Sequence, residues 1–332
     1  MKLIVQIPCL DEEATLPATI ADIPRRIEGV DEVELLVVDD GSIDRTVEVA
    51  REQGVEHVVR LTNNKGLAAG FQAGLDACLK LGADIVVNTD ADNQYDARDI
   101  PKLVAPIAEG RADMVIGDRE VAHIKHFSPF KKRLQRVGSA VVRGASGTDV
   151  PDTTSGFRAY NREAAISMNV VSKYTYTLET IIQAGKMLVA LDHVPIRTNR
   201  TERESRLFGS TYEYVRRNAL AIFRVYTMYE PLKVFLTVAA LLGLVALVIF
   251  GRFGYFYFVE TEGSGHVQSL ILGAVLFIAA VQLAALGILG DVLAGGRVTQ
   301  QRTLERVRRI ELQLGVEPSH YEAGQEREVL KL

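Results

Sequence analysis

Thr89-Asp90-Ala91-Asp92-Asn93-Gln94 sets two carboxylates two residues apart, directly after the apolar run Ile85-Val86-Val87. Two acids at the exit of a buried strand make structural sense when a cation sits between them. A divalent ion such as Mg²⁺ or Mn²⁺ fits, since Mg²⁺ is commonly held by one or two carboxylates plus the phosphates of a substrate. Three other apolar runs end in similar chemistry: Pro8 with Asp11, Glu12 and Glu13; Asp39-Asp40-Gly41-Ser42; and Asn63-Asn64-Lys65-Gly66. Any one of these could be a helix cap and no more, but four in succession line a rim. The chain has neither a Gly-x-x-x-x-Gly-Lys-Ser/Thr loop nor a Gly-x-Gly-x-x-Gly turn after its first strand, the two common backbone cradles for phosphate. A metal on Asp90 and Asp92 is the remaining way to hold a nucleotide's phosphates.

The elements that must position these residues alternate. Strands are expected at Leu3–Pro8, Glu34–Val38, His57–Leu61, Ile85–Thr89 and Met114–Gly117, and helices at Glu12–Ile27, Ile43–Gln53, Gly66–Leu81 and Ala97–Glu109. Nearly continuous apolar strands in a βαβα rhythm imply an α/β domain with a mostly parallel, twisted sheet covered on both faces. Ligands bind such sheets outside the carboxyl ends of the strands, where the polar clusters fall. At 332 residues the chain exceeds the size at which one core stops growing, so a catalytic domain with an appendage is expected.

The appendage is apolar. Leu232–Phe250 carries one charge, Lys233, and Val267–Gly290 carries none. At about 1.5 Å per residue each is long enough to cross a hydrocarbon core of about 30 Å. Arg216, Arg217, Arg224 and Lys233 precede the first segment, and Arg297, Arg302, Arg306, Arg308 and Arg309 follow the second, whereas the connection holds only Arg252 beside Glu260 and Glu262. That bias places both termini in the cytoplasm, with Tyr255, Phe256, Tyr257 and Phe258 as an aromatic belt in the loop on the far side. Leu3–Ile7 is too short for a signal-peptide core. Cys9 and Cys78 show no ligand spacing and lie in a reducing compartment, so neither a disulfide nor a zinc site is expected. Tyr212–Tyr229 has the pattern of an amphipathic helix lying at the membrane surface. The expected domains are therefore residues 1–210 catalytic, 211–230 a juxtamembrane helix, 231–291 two spans with a short loop, and 292–332 a cytoplasmic segment whose end, Gly315–Leu332, reads as a polar tail.

Five motifs in order resemble the signature set of family 2 glycosyltransferases of the GT-A fold, in the dolichol-phosphate mannosyltransferase-like (polyprenyl-phosphate glycosyltransferase) group. They are Ile7-Pro8-Cys9-Leu10-Asp11-Glu12-Glu13, Val37 to Thr46, Asn64-Lys65-Gly66, Asp90-Ala91-Asp92-Asn93-Gln94 and Thr154-Ser155-Gly156-Phe157-Arg158. The resemblance implies that Pro8 and Glu12 border the nucleoside pocket and that Asp39 and Asp40 read base and ribose. Asp90, Asp92 and Gln94 would bind the metal and diphosphate. Asp11 stands where the family often has Asn, and Leu10 where an aromatic is common, which leaves base stacking and nucleotide identity open. A mobile basic loop would follow Gly117-Asp118-Arg119 and contact a lipid phosphate through Arg119 and Arg133, with Arg136 as a further candidate. Arg203, in an ending similar to the family's Arg-x-Ser-Lys, would grip a phosphate. Arg197, Arg200 and Arg206 either assist or face anionic headgroups.

Basic and aromatic residues between Asp118 and Arg143 could also suit nucleic acid, but the net charge is −4 and no nucleic-acid module is present. The expected partners are a nucleotide sugar, polyprenyl or dolichyl phosphate and the bilayer, with self-association left open. A lipid phosphate monoester is largely a dianion at pH 7, so it can attack the anomeric carbon without a protein base, and inversion without a covalent intermediate follows. Glu179 would be the candidate base, though it reads better as a buried or capping residue. A processive polysaccharide synthase would carry Gln-x-x-Arg-Trp, and this chain has no tryptophan. A catalytically dead membrane scaffold is opposed by the intact Asp-x-Asp.

Overall fold

The computed structural model describes residues 1–120, 129–171, 175–199, 211–259 and 267–323. In chain order they form β1 (Lys2–Cys9), α1 (Leu16–Ala21), β2 (Glu32–Asp39), α2 (Thr46–Glu52), β3 (His57–Arg60), α3 (Leu67–Lys80), β4 (Ile85–Asn88), a 3₁₀ turn at Ala97–Asp99 and α4 (Ile100–Ala108). There follow β5 (Met114–Asp118), α5 (Pro129–Ser146), β6 (Arg158–Asn161), α6 (Arg162–Ser167), α7 (Thr177–Lys186) and β7 (Leu191–Pro195). The chain continues through α8 (Thr211–Tyr229), α9 (Pro231–Phe258), α10 (Val267–Leu314) and β8 (Tyr321–Ala323).

The strands make one sheet in the order β7-β5-β6-β4-β1-β2-β3-β8, with β6 and β8 antiparallel to their neighbours and the rest parallel. Strand order reverses at β1, whose neighbours are β2 and β4, so a crevice opens between the carboxyl ends of β1 and β4. β1 and β4 are buried almost throughout, as strands covered on both faces must be. The main core lies on one face, where Leu3, Val5, Ile7, Leu35, Val37, Ile85 and Val87 meet Leu16 and Ile20 of α1 and Leu103 and Val104 of α4.

Two expected helices are shorter than their sequence patterns. α1 begins at Leu16 rather than Glu12 because the N–H groups of Asp11, Glu12 and Glu13 are taken by Ser42 Oγ (2.9 Å), Thr46 Oγ1 (2.8 Å) and Asp44 Oδ2 (3.1 Å). Pro17 suits the helix's first turn, and Pro24 disfavours its continuation. α2 begins at Thr46 because Asp44 Oδ1 accepts that residue's N–H (2.9 Å). Where a basic loop was expected after Arg119, the chain is helical from Pro129 to Ser146, so Arg133 lies on α5. A largely basic and small-residue run without internal proline favours helix once an apolar stripe, including buried Val142 and Ala145, has a surface to cover.

The chain divides into two compact units, residues 1–222 with 304–332, and residues 223–303. In the second unit α9 and α10 carry apolar windows of mean hydropathy 2.8 and 2.5, of which only 11% and 17% is buried. A soluble core helix would be mostly buried, whereas these helices turn Leu241, Leu244, Val248, Ile271, Ile278 and Ile288 outward. They meet through small residues: a Cβ on Gly273 would stand 2.7 Å from Phe250 Cε1, and one on Gly287 3.0 Å from Phe235 Cβ. The aromatic residues Tyr255 to Phe258 were expected in a loop, but α9 runs through them. No proline interrupts the helix there, and Arg252 lies over the Phe256 ring one turn on (5.6 Å).

The expected polar tail is also corrected. α10 continues as helix to Leu314, and β8 then pairs antiparallel with β3, placing Tyr321 opposite Val59 and Ala323 opposite His57. Within the first unit Arg308 Nη1 donates to the carbonyls of Ile166 (2.8 Å) and Met168 (2.6 Å), capping the C-terminal end of α6. Arg309 pairs with Glu163, Glu311 with Lys80 (3.2 Å), and Glu322 with Arg51. His57 is bonded to both Tyr321 Oη (2.8 Å) and Glu34 Oε2 (2.7 Å). These charged residues are ligands for the domain's own surface.

Candidate functional site

The first two rim loops are zipped together by their own carboxylates. Asp11 Oδ1 accepts the N–H of Ile43 (2.9 Å), and Glu13 Oε2 that of Arg45 (3.1 Å). Asp11 takes a left-handed backbone (φ 53°) to do so, and the family's usual Asn suits that conformation equally. Glu12 turns instead to Thr15, whose hydroxyl donates to Oε2 (2.6 Å). Gly41, at φ 81°, brings this rim onto the next loop: a Cβ there would lie 2.7 Å from the backbone carbon of Asn63.

Asp39 and Asp40, expected to read base and ribose together, have different tasks. Both Asp40 oxygens accept backbone N–H groups, from Lys65 (2.7 Å) and Gly66 (2.8 Å), so this side chain fixes the loop that starts α3. Asp39 is fully buried; its Oδ1 accepts Ser42 N–H (2.9 Å), and its Oδ2 has no hydrogen-bond donor. Arg60 Nε approaches that oxygen to 3.4 Å, an ion-pair distance without hydrogen-bond geometry. Asp39 is therefore the one of the two with a carboxylate oxygen left without a hydrogen-bond donor. Pro8 sits beside them at the end of β1, in register with Val38.

Asp90 and Asp92 leave β4 at the switch point. Asp92 Oδ1 accepts the N–H of Gln94 (3.0 Å), making a tight turn with Asn93 at φ 56°. Gln94 passes its carbonyl to Asn199 N–H (2.9 Å), and its side chain stays partly exposed beside the pair. Burial and then the Asp92 charge push the Asp90 carboxyl up to about 7, against the pull of Arg119 and Arg158. The fold thus presses together two carboxylates that a cation would relieve. Gly156 makes room: a Cβ there would meet Tyr176 Oη at 2.6 Å and both Asp90 oxygens at 3.1 Å. Among the described residues no group of three or more His, Cys, Asp and Glu converges, so a metal here would draw its remaining ligands from substrate.

A buried polar column supports this floor. Gln6 Nε2 donates to Asn88 Oδ1 (2.8 Å), Asn88 Nδ2 donates to Gly156 O (2.9 Å) and Tyr176 Oη (2.9 Å), and Gly156 N–H donates to Tyr95 Oη (2.9 Å). Tyr95 stacks on Phe157 (5.3 Å) and Tyr176 on Phe71 (4.1 Å), so both hydroxyls are held by their rings. Arg158 is fully buried and donates to the carbonyls of Thr153, Ser155 and Thr177 and to Thr180 Oγ1. Among the described residues it faces no carboxylate, so its charge acts on Asp90 through space.

Arg119 differs from its expected role. Its guanidinium is almost buried and grips Asp152 in a fork, Nε to Oδ2 at 2.6 Å and Nη2 to Oδ1 at 2.9 Å, with Thr154 Oγ1 at 2.7 Å. Burial by itself would raise the Asp152 carboxyl, but the Arg119 charge and hydrogen bonds outweigh it and hold the group below the usual range. Arg119 thus reaches the site as half of an ion pair rather than as a cation on a loop. Arg197 is likewise engaged, with Asp99 (2.7 Å) and Asp96 (3.3 Å). Glu179 is buried and accepts Val171 N–H (3.1 Å), a structural use. Arg203, Arg200 and Arg206 lie outside the described residues, just beyond Asn199, whose Nδ2 holds Asn93 O (3.1 Å) on the acidic turn.

The sequence reading passed over Asp152, Tyr95, Tyr176 and Asn88. Tyr95 directly follows the Asp90–Gln94 motif and Asp152 lies two residues before the Thr154–Arg158 motif, which was the available signal. Asn88 and Tyr176 gave none, because their partners are far away in sequence.

Comparison with known proteins agrees with this fold. The family model described as Glycosyl transferase family 2 matches residues 4–168. An undecaprenyl-phosphate mannosyltransferase of Micrococcus luteus is 30% identical over 63% of this chain and 88% of its own length. A UDP-N-acetylglucosamine–dolichyl-phosphate N-acetylglucosaminyltransferase of Methanococcus voltae is 29% identical over 59% of this chain and 85% of its own. Among solved structures, the glucosyl-3-phosphoglycerate synthase of Mycobacterium tuberculosis in complex with Mn²⁺, UDP-glucose and phosphoglyceric acid shares the fold. Its TM-score is 0.53 at 24% identity, covering 67% of this chain and 79% of that one.

Proposed function

The chain belongs to glycosyl transferase family 2 and is a glycosyltransferase, and on that premise we propose that it moves one sugar from a nucleotide sugar to a polyprenyl or dolichyl phosphate at the cytoplasmic membrane face. The observation that carries the reading is the Asp90–Asp92 pair at the switch crevice, with one carboxyl pushed up to about 7 and the Gly156 backbone leaving space against it. Two curated relatives are named for transfer to polyprenyl or dolichyl phosphate, and the exposed apolar helices α9 and α10 suit an enzyme whose acceptor is a lipid.

Asp90 and Asp92 would hold Mg²⁺ or Mn²⁺ together with the donor diphosphate, with Gln94 adjoining, and the ion would neutralise charge on the leaving nucleoside diphosphate. Mn²⁺ and UDP-glucose are named for the structural neighbour. The chain's own residues supply the rest. Asp39 Oδ2, an acceptor-only group, suits a base that presents a ring N–H, as uracil and guanine do. Pro8 and Glu12 border the nucleoside, and Asp40 keeps the facing loop in place. Arg119, held in place by Asp152, and Arg158 act on Asp90 with positive charge, and Arg133 and Arg203 bind phosphate. The acceptor dianion is its own nucleophile, which agrees with Glu179 being used structurally. Transfer proceeds by one in-line displacement with inversion.

Membranes carrying the protein, given radiolabelled UDP- or GDP-sugars and polyprenyl phosphate, should form labelled lipid that EDTA suppresses and Asp92→Ala abolishes. Full metal-dependent transfer by Asp92→Ala would overturn the assignment.

A further inference from the structure

The segment after α10 ends on the donor side of the sheet. β3 is a strand of four residues, His57–Arg60, whose one neighbour besides β2 is β8. Its C-terminal end is held on both sides. Arg60 N–H donates to His320 O (2.9 Å) on the β8 side, and on the other the next residue, Leu61, donates its N–H to Asp39 O (2.9 Å). Arg60 is in register with Asp39, and its Nε lies 3.4 Å from the buried Oδ2 that lacks a hydrogen-bond donor. The rest of the guanidinium reaches solvent, with 48% of the side chain exposed, so it is accessible to an anionic ligand at the rim.

We propose that β8 is a positioning strand for the donor pocket: by docking on β3 it fixes Arg60 against Asp39, and nucleotide affinity therefore depends on residues that follow the second long helix. The proposal rests on the reading of Asp39 as a donor-site residue. Its physical basis is local order. A short edge strand with ladder bonds on one side frays at its end, and Arg60 is that end. When it frays, the guanidinium leaves Asp39, and the buried carboxylate loses both its compensating charge and its alignment. The anchors already described keep the segment close: Arg308 on the α6 carbonyls, Glu311 on Lys80 and Tyr321 on His57. With the segment so tethered, β8 docking is close to intramolecular strand addition. The Arg60 backbone belongs to the sheet, but its charge belongs to the site, which makes Arg60 a positioning residue.

The test uses the full chain in nanodiscs, with UDP and GDP in the presence of Mn²⁺ as probes, read by calorimetry. A stop after Ala323 keeps β8 and should bind as the full chain does. A stop after Gly315 removes β8 but keeps Arg308, Arg309 and Glu311, and should weaken the preferred nucleotide about tenfold, a change of about 1.4 kcal/mol. Arg60→Ala in the full chain should give a similar loss, and the combination should be no weaker than either alone, because both act on one contact. In turnover the donor KM should rise while the KM for polyprenyl phosphate holds. Should the Gly315 stop fail to fold, Tyr321→Ala with Glu322→Ala weakens the same docking at full length and carries the same expectation. Wild-type affinity after loss of β8, or losses that multiply in the combination, would overturn the proposal. Asp39→Asn separates the two readings: if it binds nucleotide normally, the donor-site reading has failed, whereas if it binds poorly while loss of β8 has no effect, only the positioning strand has.

Discussion

Metal binding should depend on pH through Asp90. Without metal this carboxyl is pushed up to about 7, by burial first and then by Asp92, and with metal it must be ionised. Binding therefore expels a proton below pH 7 and none well above it, so affinity rises with pH and levels off once Asp90 is already ionised. With a midpoint near 7, about one-tenth of the molecules carry ionised Asp90 at pH 6 and about nine-tenths at pH 8, so the apparent Kd should be about tenfold weaker at pH 6. The measurement is Mn²⁺ titration followed by electron paramagnetic resonance, on the nanodisc protein without nucleotide so that no diphosphate titrates in the same range. Asp92→Asn should weaken binding and move the midpoint towards acid, since it deletes the charge that is the second cause of the shift. An affinity unchanged between pH 6 and 8 would refute the reasoning, as would an unmoved midpoint in Asp92→Asn.

Other expectations follow from single contacts. Gly156→Ala should abolish transfer and lower stability by about 1–3 kcal/mol in denaturant titration, because its Cβ would stand 2.6 Å from Tyr176 Oη and 3.1 Å from Asp90. Asp152→Ala should destabilise by about 3–5 kcal/mol, since it strands the nearly buried Arg119 guanidinium, and thermal unfolding would show it. Glu179→Gln should retain transfer within a few-fold in the radiolabel assay, since its role is to accept Val171 N–H. Cysteine-accessibility labelling should place residue 2 and residue 325 on the same side of the membrane and residue 262 on the other, because the β3–β8 pairing confines both flanks of the helical pair to one folded unit.

The sheet was legible because its signal is local. Short apolar runs bounded by turn residues, such as Ile85-Val86-Val87, read as buried strands, and the acidic residues that follow them fall at carboxyl ends by the rhythm of the chain. Which acids face a ligand was not legible. Asp39 and Asp40 are adjacent in sequence and alike in chemistry, yet one accepts two backbone N–H groups of a distant loop and the other keeps an oxygen without a hydrogen-bond donor. That division is made by the third rim loop, whose Lys65 and Gly66 N–H groups select Asp40, a pairing across 25 and 26 residues that no local pattern marks. The C-terminal segment misled for a similar reason. Arg308, Arg309 and Glu311 have the composition of a solvated helix, and only the α3 and α6 surfaces they meet convert them into anchors.

The pairing of β3 with β8 also sets a schedule for synthesis. His57 and its partner Tyr321 are 264 residues apart, so at about 5–20 residues per second the ribosome delivers β8 on the order of 10–50 s after β3 emerges. Throughout that interval the donor-side edge of the sheet has an open row of N–H and C=O groups, and both long apolar helices are made before it can close. β3–β8 pairing therefore comes after both long apolar helices have been made. The nascent chain thus carries an open sheet edge at β3 while its two long apolar helices are being made.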